Sequence, residues 1–278
     1  MKRLLLISVL MLAACKPEPA GEPVIRHEIG KHSEEPATVK VEPQVQALPS
    51  SCAEETFEKQ RLTHCIADPA RHSIVTALAG EDGTPFRSLK AYGESLGEGA
   101  ANIAFAMNGG MFGDDGKPVG YYVENGERLE ELNRNDGPGN FHMKPNGVFF
   151  GSDGKWRVLS ADAFYASIGD RPAFGTQSGP MLLIDGALHP DISEDGPSKA
   201  IRNAVGVDAD GKAHFVISEA PVSFGLMARY FRDQLKTRNA LYLDGTVSAL
   251  WNPASERLDS GAPLGPLIVV TNRETGSQ

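Results

Sequence analysis

The sequence predicts an α+β fold: mixed or antiparallel sheets built from local hairpins, with a few helices packed against them, in a single domain. Two observations predict it. Apolar strand-like runs come in pairs joined by short turns rich in Gly and Asp, whereas helical spacing of apolar residues is confined to two segments. Beyond about residue 52 the composition is ordinary globular, without an internal repeat or a second linker, and its length suits one large domain.

In chain order, Leu89, Tyr92 and Leu96 fall at helical spacing behind Ser88. Phe105-Ala106-Met107 is an apolar strand that runs into Asn108-Gly109-Gly110. Val148-Phe149-Phe150 and Trp156-Arg157-Val158-Leu159 flank a Gly- and Asp-containing turn and form the first hairpin. Met181 to Ile184 and Ala187 to His189 form the second, across an Asp185-Gly186 turn of type I′ chemistry. Ala204 to Asp208 and Ala213 to Ile217 form the third. Phe224, Met227, Phe231 and Leu235 mark a helix capped by Ser223, and Ala240 to Leu243 follows as a strand.

The N-terminus sets the expected compartment. Lys2 and Arg3 precede an apolar run from Leu4 to Leu12, far shorter than the roughly 20 residues that span a bilayer. It ends in Leu12-Ala13-Ala14-Cys15, which resembles a bacterial lipobox. Residues 1–14 are therefore expected to be a lipoprotein signal peptide and Cys15 the lipidated residue. Lys16 in place of Asp points to an outer-membrane anchor facing the periplasm. Residues 15–51 are rich in Pro and Glu and nearly devoid of aromatics, the composition of a disordered tether. Residues 52–278 are the folded domain. In an oxidising compartment Cys52 and Cys65 are expected to form a disulfide around the polar stretch Ala53 to His64; their spacing matches no zinc site.

A net charge of −9 argues against nucleic acid as a partner and leaves the N-terminal lipid as the only membrane contact. Three apparent motifs fail on their own chemistry. Gly175-Thr176-Gln177-Ser178-Gly179 places its serine one position too late for a nucleophile elbow. Gly206 to Lys212 spells a phosphate loop but is followed by Ala213, without the hydroxyl that binds Mg²⁺, inside a hairpin. Asp208-Ala209-Asp210-Gly211 lacks the remaining ligands of a calcium loop.

What remains is a series of polar residues and glycines at strand ends. These are Asn108-Gly109-Gly110, Lys144 with Asn146, Gln177-Ser178, Arg202-Asn203, Ser218-Glu219 and Asp244-Gly245. Taken singly each reads as a turn. Together they supply two carboxylates, two cations and several amides, a set suited to an anionic, hydroxyl-rich ligand.

The order of Asn108-Gly109-Gly110-Met111-Phe112, Pro118-Val119-Gly120, Gln177-Ser178-Gly179-Pro180, Arg202-Asn203-Ala204-Val205-Gly206 and Leu243-Asp244-Gly245 resembles the phosphodiester glycosidase family. That family includes the lysosomal enzyme that removes N-acetylglucosamine from its phosphodiester. The stretch Gly139 to Phe149 is closer to an uncharacterised bacterial branch. The resemblance implies a hydrolase that splits a sugar from a sugar-1-phosphodiester. Two departures limit it. Thr246-Val247-Ser248 replaces a Gly- and Ser-rich run, and Ser218-Glu219-Ala220 stands where the lysosomal branch carries Asp-Gly-Arg. Substrate identity therefore does not carry over.

In such a reaction the leaving group is a phosphate monoester, whose second pKa lies near 6, so protonating it matters less than in ordinary glycoside hydrolysis. The catalytic expectations are Arg202 as phosphate clamp, Asp244 as the carboxylate facing the anomeric carbon and Glu219 as the second carboxylate. Asn108, Gly109, Gly110, Lys144, Asn146, Gln177, Ser178 and Asn203 are the expected substrate contacts. The sequence implies no definite cofactor, and a divalent cation such as Ca²⁺ beside Asp244 is left open. The alternative is a non-catalytic envelope lipoprotein that binds anionic glycans through the same groups.

Overall fold

The computed structural model describes residues 49–167 and 169–273. The expected signal peptide, Cys15 and all but the last residues of the tether lie outside the described residues. In chain order the elements are β1 Cys52–Phe57, β2 Gln60–Ala67, β3 His72–Ala77, α1 Leu89–Leu96, β4 Ile103–Asn108, β5 Tyr122–Glu124 and β6 Glu127–Glu130. There follow β7 Gly147–Ser152, β8 Lys155–Ser160, α2 Ala161–Ser167, β9 Phe174–Ser178, β10 Met181–Ile184, β11 Ala187–Leu188, β12 Asn203–Val207 and β13 Ala213–Ser218. The last are α3 Phe224–Arg229, β14 Ala240–Tyr242, β15 Leu250–Asn252, β16 Arg257–Leu258 and β17 Leu267–Asn272.

They form three sheets, with strand orders β1-β2-β13-β12-β14-β10-β11, β16-β15-β4-β17-β3 and β6-β5-β9-β7-β8. Every named strand pair is antiparallel. The fold is thus α+β, as the pattern of hairpins predicts. One face of each sheet meets in a shared core of Phe105, Phe149, Phe174, Phe215, Leu241 and Val270. The period-2 alternation turns their strand neighbours outward, where each sheet carries one helix. Phe224, Met227 and Phe231 pack on Ala204, Val216 and Tyr242; Leu89 and Tyr92 on Ala106 and Val269; Phe164 on Val148 and Phe150.

Local chemistry explains most element ends. Ser88 and Ser223 accept hydrogen bonds from Ala91 N and Leu226 N, as N-caps do. Asp185 and Gly186 both have positive φ (50° and 88°), the I′ geometry that joins β10 to β11. The apolar series from Phe224 to Leu235 is divided: six α-helical residues are followed by a π-helical turn, Tyr230–Gln234, which buries both Tyr230 and Phe231. Several elements escape the sequence pattern, among them the β1–β2 hairpin and helix α2. The polar stretch Ala53 to His64 is a hairpin whose turn, Glu58-Lys59, takes positive φ without a glycine. Cys52 and Cys65 face each other across it and are disulfide-bonded. Helix α2 starts directly from β8, with the Ser160 hydroxyl accepting from Ala163 N, and is too short to show a period.

Candidate active site

The candidate site forms where strand ends from all three sheets converge. Antiparallel β12 and β14 pair Ala204 with Tyr242, and Leu243 N donates to Asn203 O at 3.1 Å. One residue further along this register stand Arg202 and Asp244. Asn108, at the end of β4, locks the arrangement: its Nδ2 donates to Asp244 O (2.8 Å), and its Oδ1 accepts from Asn203 Nδ2 and Ala249 N, both at 2.8 Å. Asp244 N donates to Gly109 O at 3.2 Å, and Gly110 N donates to Thr176 Oγ1 at 3.0 Å, which brings in β9. A Cβ on Gly110 would lie 2.1 Å from Gln177 O, and one on Gly109 would lie 3.2 Å from Pro266 O. The close approach that these glycines permit is to this chain's own backbone.

Arg202 is buried, with 2% of its surface exposed. Its Nε donates to Val222 O (2.9 Å) and its Nη2 to Ser198 O and Oγ (both 3.1 Å). The guanidinium lies 3.5 Å from the centre of the Phe224 ring and 5.2 Å from that of Tyr242. Burial pulls its pKa down from the usual arginine value, opposed by Tyr242. Asp244 is 8% exposed, and its Oδ1 accepts from Thr246 N at 3.1 Å. Burial pushes this carboxyl up, against the hydrogen bonds from Thr246. Among the described residues neither group has an ion-pair partner. Desolvating a charge without pairing it is costly, so such groups mark places where an external charge completes the balance.

Tyr242 connects the two. Its hydroxyl lies where a side chain at residue 245 would begin, with a Cβ only 1.6 Å away, so glycine is required beside Asp244. Burial raises the phenol pKa, and Asp244 pushes the same way while Arg202 opposes it. Ser178 is fully buried, and its Oγ has no hydrogen-bond partner among the described residues. Tyr242, Thr176 and Ser198 were not expected from the sequence. Tyr242 read there only as a strand position and Thr176 as a neighbour of Gln177 ahead of a strand, and Ser198 is brought to Arg202 by the turn ahead of β12.

Other expected contacts are occupied within the fold. Gln177 Oε1 accepts from Tyr121 N and Asn133 N (both 2.9 Å) while its Nε2 donates to Asn133 O (2.7 Å), so the amide clamps two backbone segments. Asn146 is buried and donates to Phe141 O at 3.0 Å. Lys144 pairs with Asp136 (2.6 Å) and donates to Arg134 O (2.7 Å), beside a separate cavity of about 410 Å³. Glu219 pairs with Arg257 at 2.6 Å and accepts from Thr63 Oγ1, while Arg257 also holds Asp259. The structure therefore joins Asn108, Gly109, Gly110, Arg202, Asn203 and Asp244. It commits the side chains of Lys144, Asn146, Gln177 and Glu219 to neighbours of their own. Among the described residues no three His, Cys, Asp or Glu side chains are grouped to hold a metal ion.

The chain matches the sequence profile of the phosphodiester glycosidase family over residues 101–271. It belongs to that family. The matched span runs from just before β4 to the end of β17 and so contains every residue of the cluster around Asp244. An uncharacterised Escherichia coli K12 protein, YigE, is 38% identical over 149 residues; the match covers 54% of this chain and 58% of that protein's length. The fold is similar to the catalytic domain of zebrafish N-acetylglucosamine-1-phosphodiester alpha-N-acetylglucosaminidase, a structure auto-inhibited by its pro-peptide. That similarity has a TM-score of 0.54 and 17% identity, covering 80% of this chain and 82% of the other.

Proposed function

We propose that this phosphodiester glycosidase family member is a hydrolase that releases a sugar from a sugar-1-phosphodiester in the bacterial cell envelope, held there by a lipid on Cys15. The observation that carries the reading is the buried, unpaired guanidinium of Arg202 one cross-strand step from the buried, unpaired carboxyl of Asp244. In this mechanism the phosphate charge completes the balance at Arg202, whose remaining N–H donors face it. Water adds through oxygen to the anomeric carbon as the C–O bond to phosphate breaks, and the bonding electrons leave with the phosphate monoester. Asp244 accepts the proton of that water; where it acts only by stabilising the developing positive charge on the sugar, the proton passes to the departing phosphate monoester. A carboxyl raised by burial is better suited to proton transfer near neutral pH than an exposed one. The Ser178 hydroxyl and the Tyr242 phenol supply polar groups for sugar or phosphate oxygens.

The test is release of free sugar from a chromogenic sugar-1-phosphodiester. Repeating it in ¹⁸O-labelled water assigns the bond broken: label in the sugar marks C–O cleavage, and label in the phosphate refutes the mechanism. Saturable binding of the diester without release favours instead a non-catalytic module for anionic glycans.

A further inference from the structure

A second cavity, of about 410 Å³, is walled in part by the 245–249 loop, Gly245 included. Leu89, Ile201, Val247, Leu258 and Leu264 give it a large apolar share, and Ser88, Lys90, Thr246, Ser248, Asp259 and Ser260 line the rest. Four large hydrophobic side chains are well exposed among the described residues, and two of them stand here: Ile201 (44%) and Leu258 (43%). Ile201 directly precedes Arg202, and its carbonyl accepts from the Ser248 hydroxyl at 3.2 Å, which ties the cavity rim to the loop that follows Asp244. Apolar side chains left in water around a concave site, joined to a polar centre, are the usual features of a site for an amphiphilic ligand.

We infer that the cavity receives an apolar group carried by the substrate of the Asp244 centre, so that the substrate class is a glycosyl phosphodiester with an alkyl or acyl aglycone. The inference rests on the proposed function. Continuity selects this occupant. Gly245 and Ile201, both in the cavity wall, are each one residue from the groups assigned to sugar and phosphate. A polar aglycone such as a second sugar would leave the exposed side chains of Ile201 and Leu258 without an apolar partner.

The experiment compares methyl and hexyl diesters of one sugar 1-phosphate as substrates, and methyl and hexyl phosphate as calorimetric ligands that are not turned over. A fully buried methylene is worth about a fourfold gain in affinity, and half-burial about twofold. Five additional methylenes in an open cavity should therefore raise both kcat/KM and affinity by about thirtyfold. In an Ile201→Ser, Leu258→Ser double variant both ratios should fall towards one. The two side chains are exposed, so the melting temperature should hold. Equal binding of methyl and hexyl phosphate overturns the inference whatever the turnover. Hexanol binding as tightly as hexyl phosphate also overturns it, because the cavity would then be unconnected to the phosphate site. Failure to cleave any diester while the binding ratio persists overturns the proposed hydrolysis and leaves the cavity assignment standing.

Discussion

Replacing Asp244 by Asn and by Ala separates a catalytic carboxylate from a turn-forming one, because Asn removes the charge alone whereas Ala removes the charge and the acceptor. Burial raises the Asp244 carboxyl above its ordinary range, whereas the unfolded chain takes up that proton near pH 3.9. The stability added by protonation is complete below the unfolded value and is lost as the pH rises through the folded one. Ionising it in the native state therefore leaves a desolvated, unpaired carboxylate. Asn keeps an acceptor oxygen for Thr246 N, now at 3.1 Å, and removes the charge. The Asn variant should be more stable by on the order of 1 kcal/mol, which is about 2–4 °C in Tm for a domain of this size. Ala also removes the acceptor and should be less stable than the Asn variant by about 1 kcal/mol. Both should lose about 10³-fold or more in kcat. Thermal melting and sugar release, measured on the same preparations, check this. An Asn variant that melts several degrees below wild type, or that retains turnover, refutes the assignment.

Other expectations follow from the same geometry. Gly110→Ala places a methyl 2.1 Å from Gln177 O; denaturant unfolding should show a loss of about 1–3 kcal/mol, and activity should fall with it. Glu219→Gln breaks the ion pair with Arg257; it should lower stability by about 1 kcal/mol or less while kcat is retained, and a large fall in kcat would restore Glu219 to the mechanism. Reducing the Cys52–Cys65 bridge, whose cysteines are 13 residues apart, should cost about 3 kcal/mol on the chain-entropy model, read as a lower midpoint in urea with dithiothreitol. His64 sits in a chain running from Tyr230 through Glu55, His64 and His214 to Asp208. Burial holds His64 below the ordinary imidazole range, against the pull of Glu55. The unfolded state therefore binds more protons below about pH 6.5, and stability should fall as the pH drops from there. His64→Gln should flatten that slope, and a slope unchanged in the variant would assign it to other groups.

The chain of hydrogen bonds joins β1, β2 and β13 to the π-helical turn after α3. It lies on the face of the first sheet opposite the disulfide, because His64 and Cys65 are consecutive residues of one strand.

Features set within a few residues of chain were legible in the sequence. Asp185-Gly186 determines its turn because both residues tolerate positive φ. Ser88 and Ser223 determine helix starts because a hydroxyl satisfies an orphan N–H three residues on. The order of strand-end residues from Asn108 to Asp244 placed the chain in its family. The hairpin at Glu58-Lys59 was not legible, since neither residue favours the backbone it adopts and only pairing across β1 and β2 holds it there. Nor was the division of polar residues into free and occupied. Gln177, Lys144 and Glu219 look as available as Arg202 in the sequence, but Asn133, Asp136 and Arg257 satisfy them in the fold. A buried polar group is available to a ligand only if no neighbour has already satisfied it. Those neighbours come from distant segments, so tertiary structure alone decided which side chains were left for chemistry.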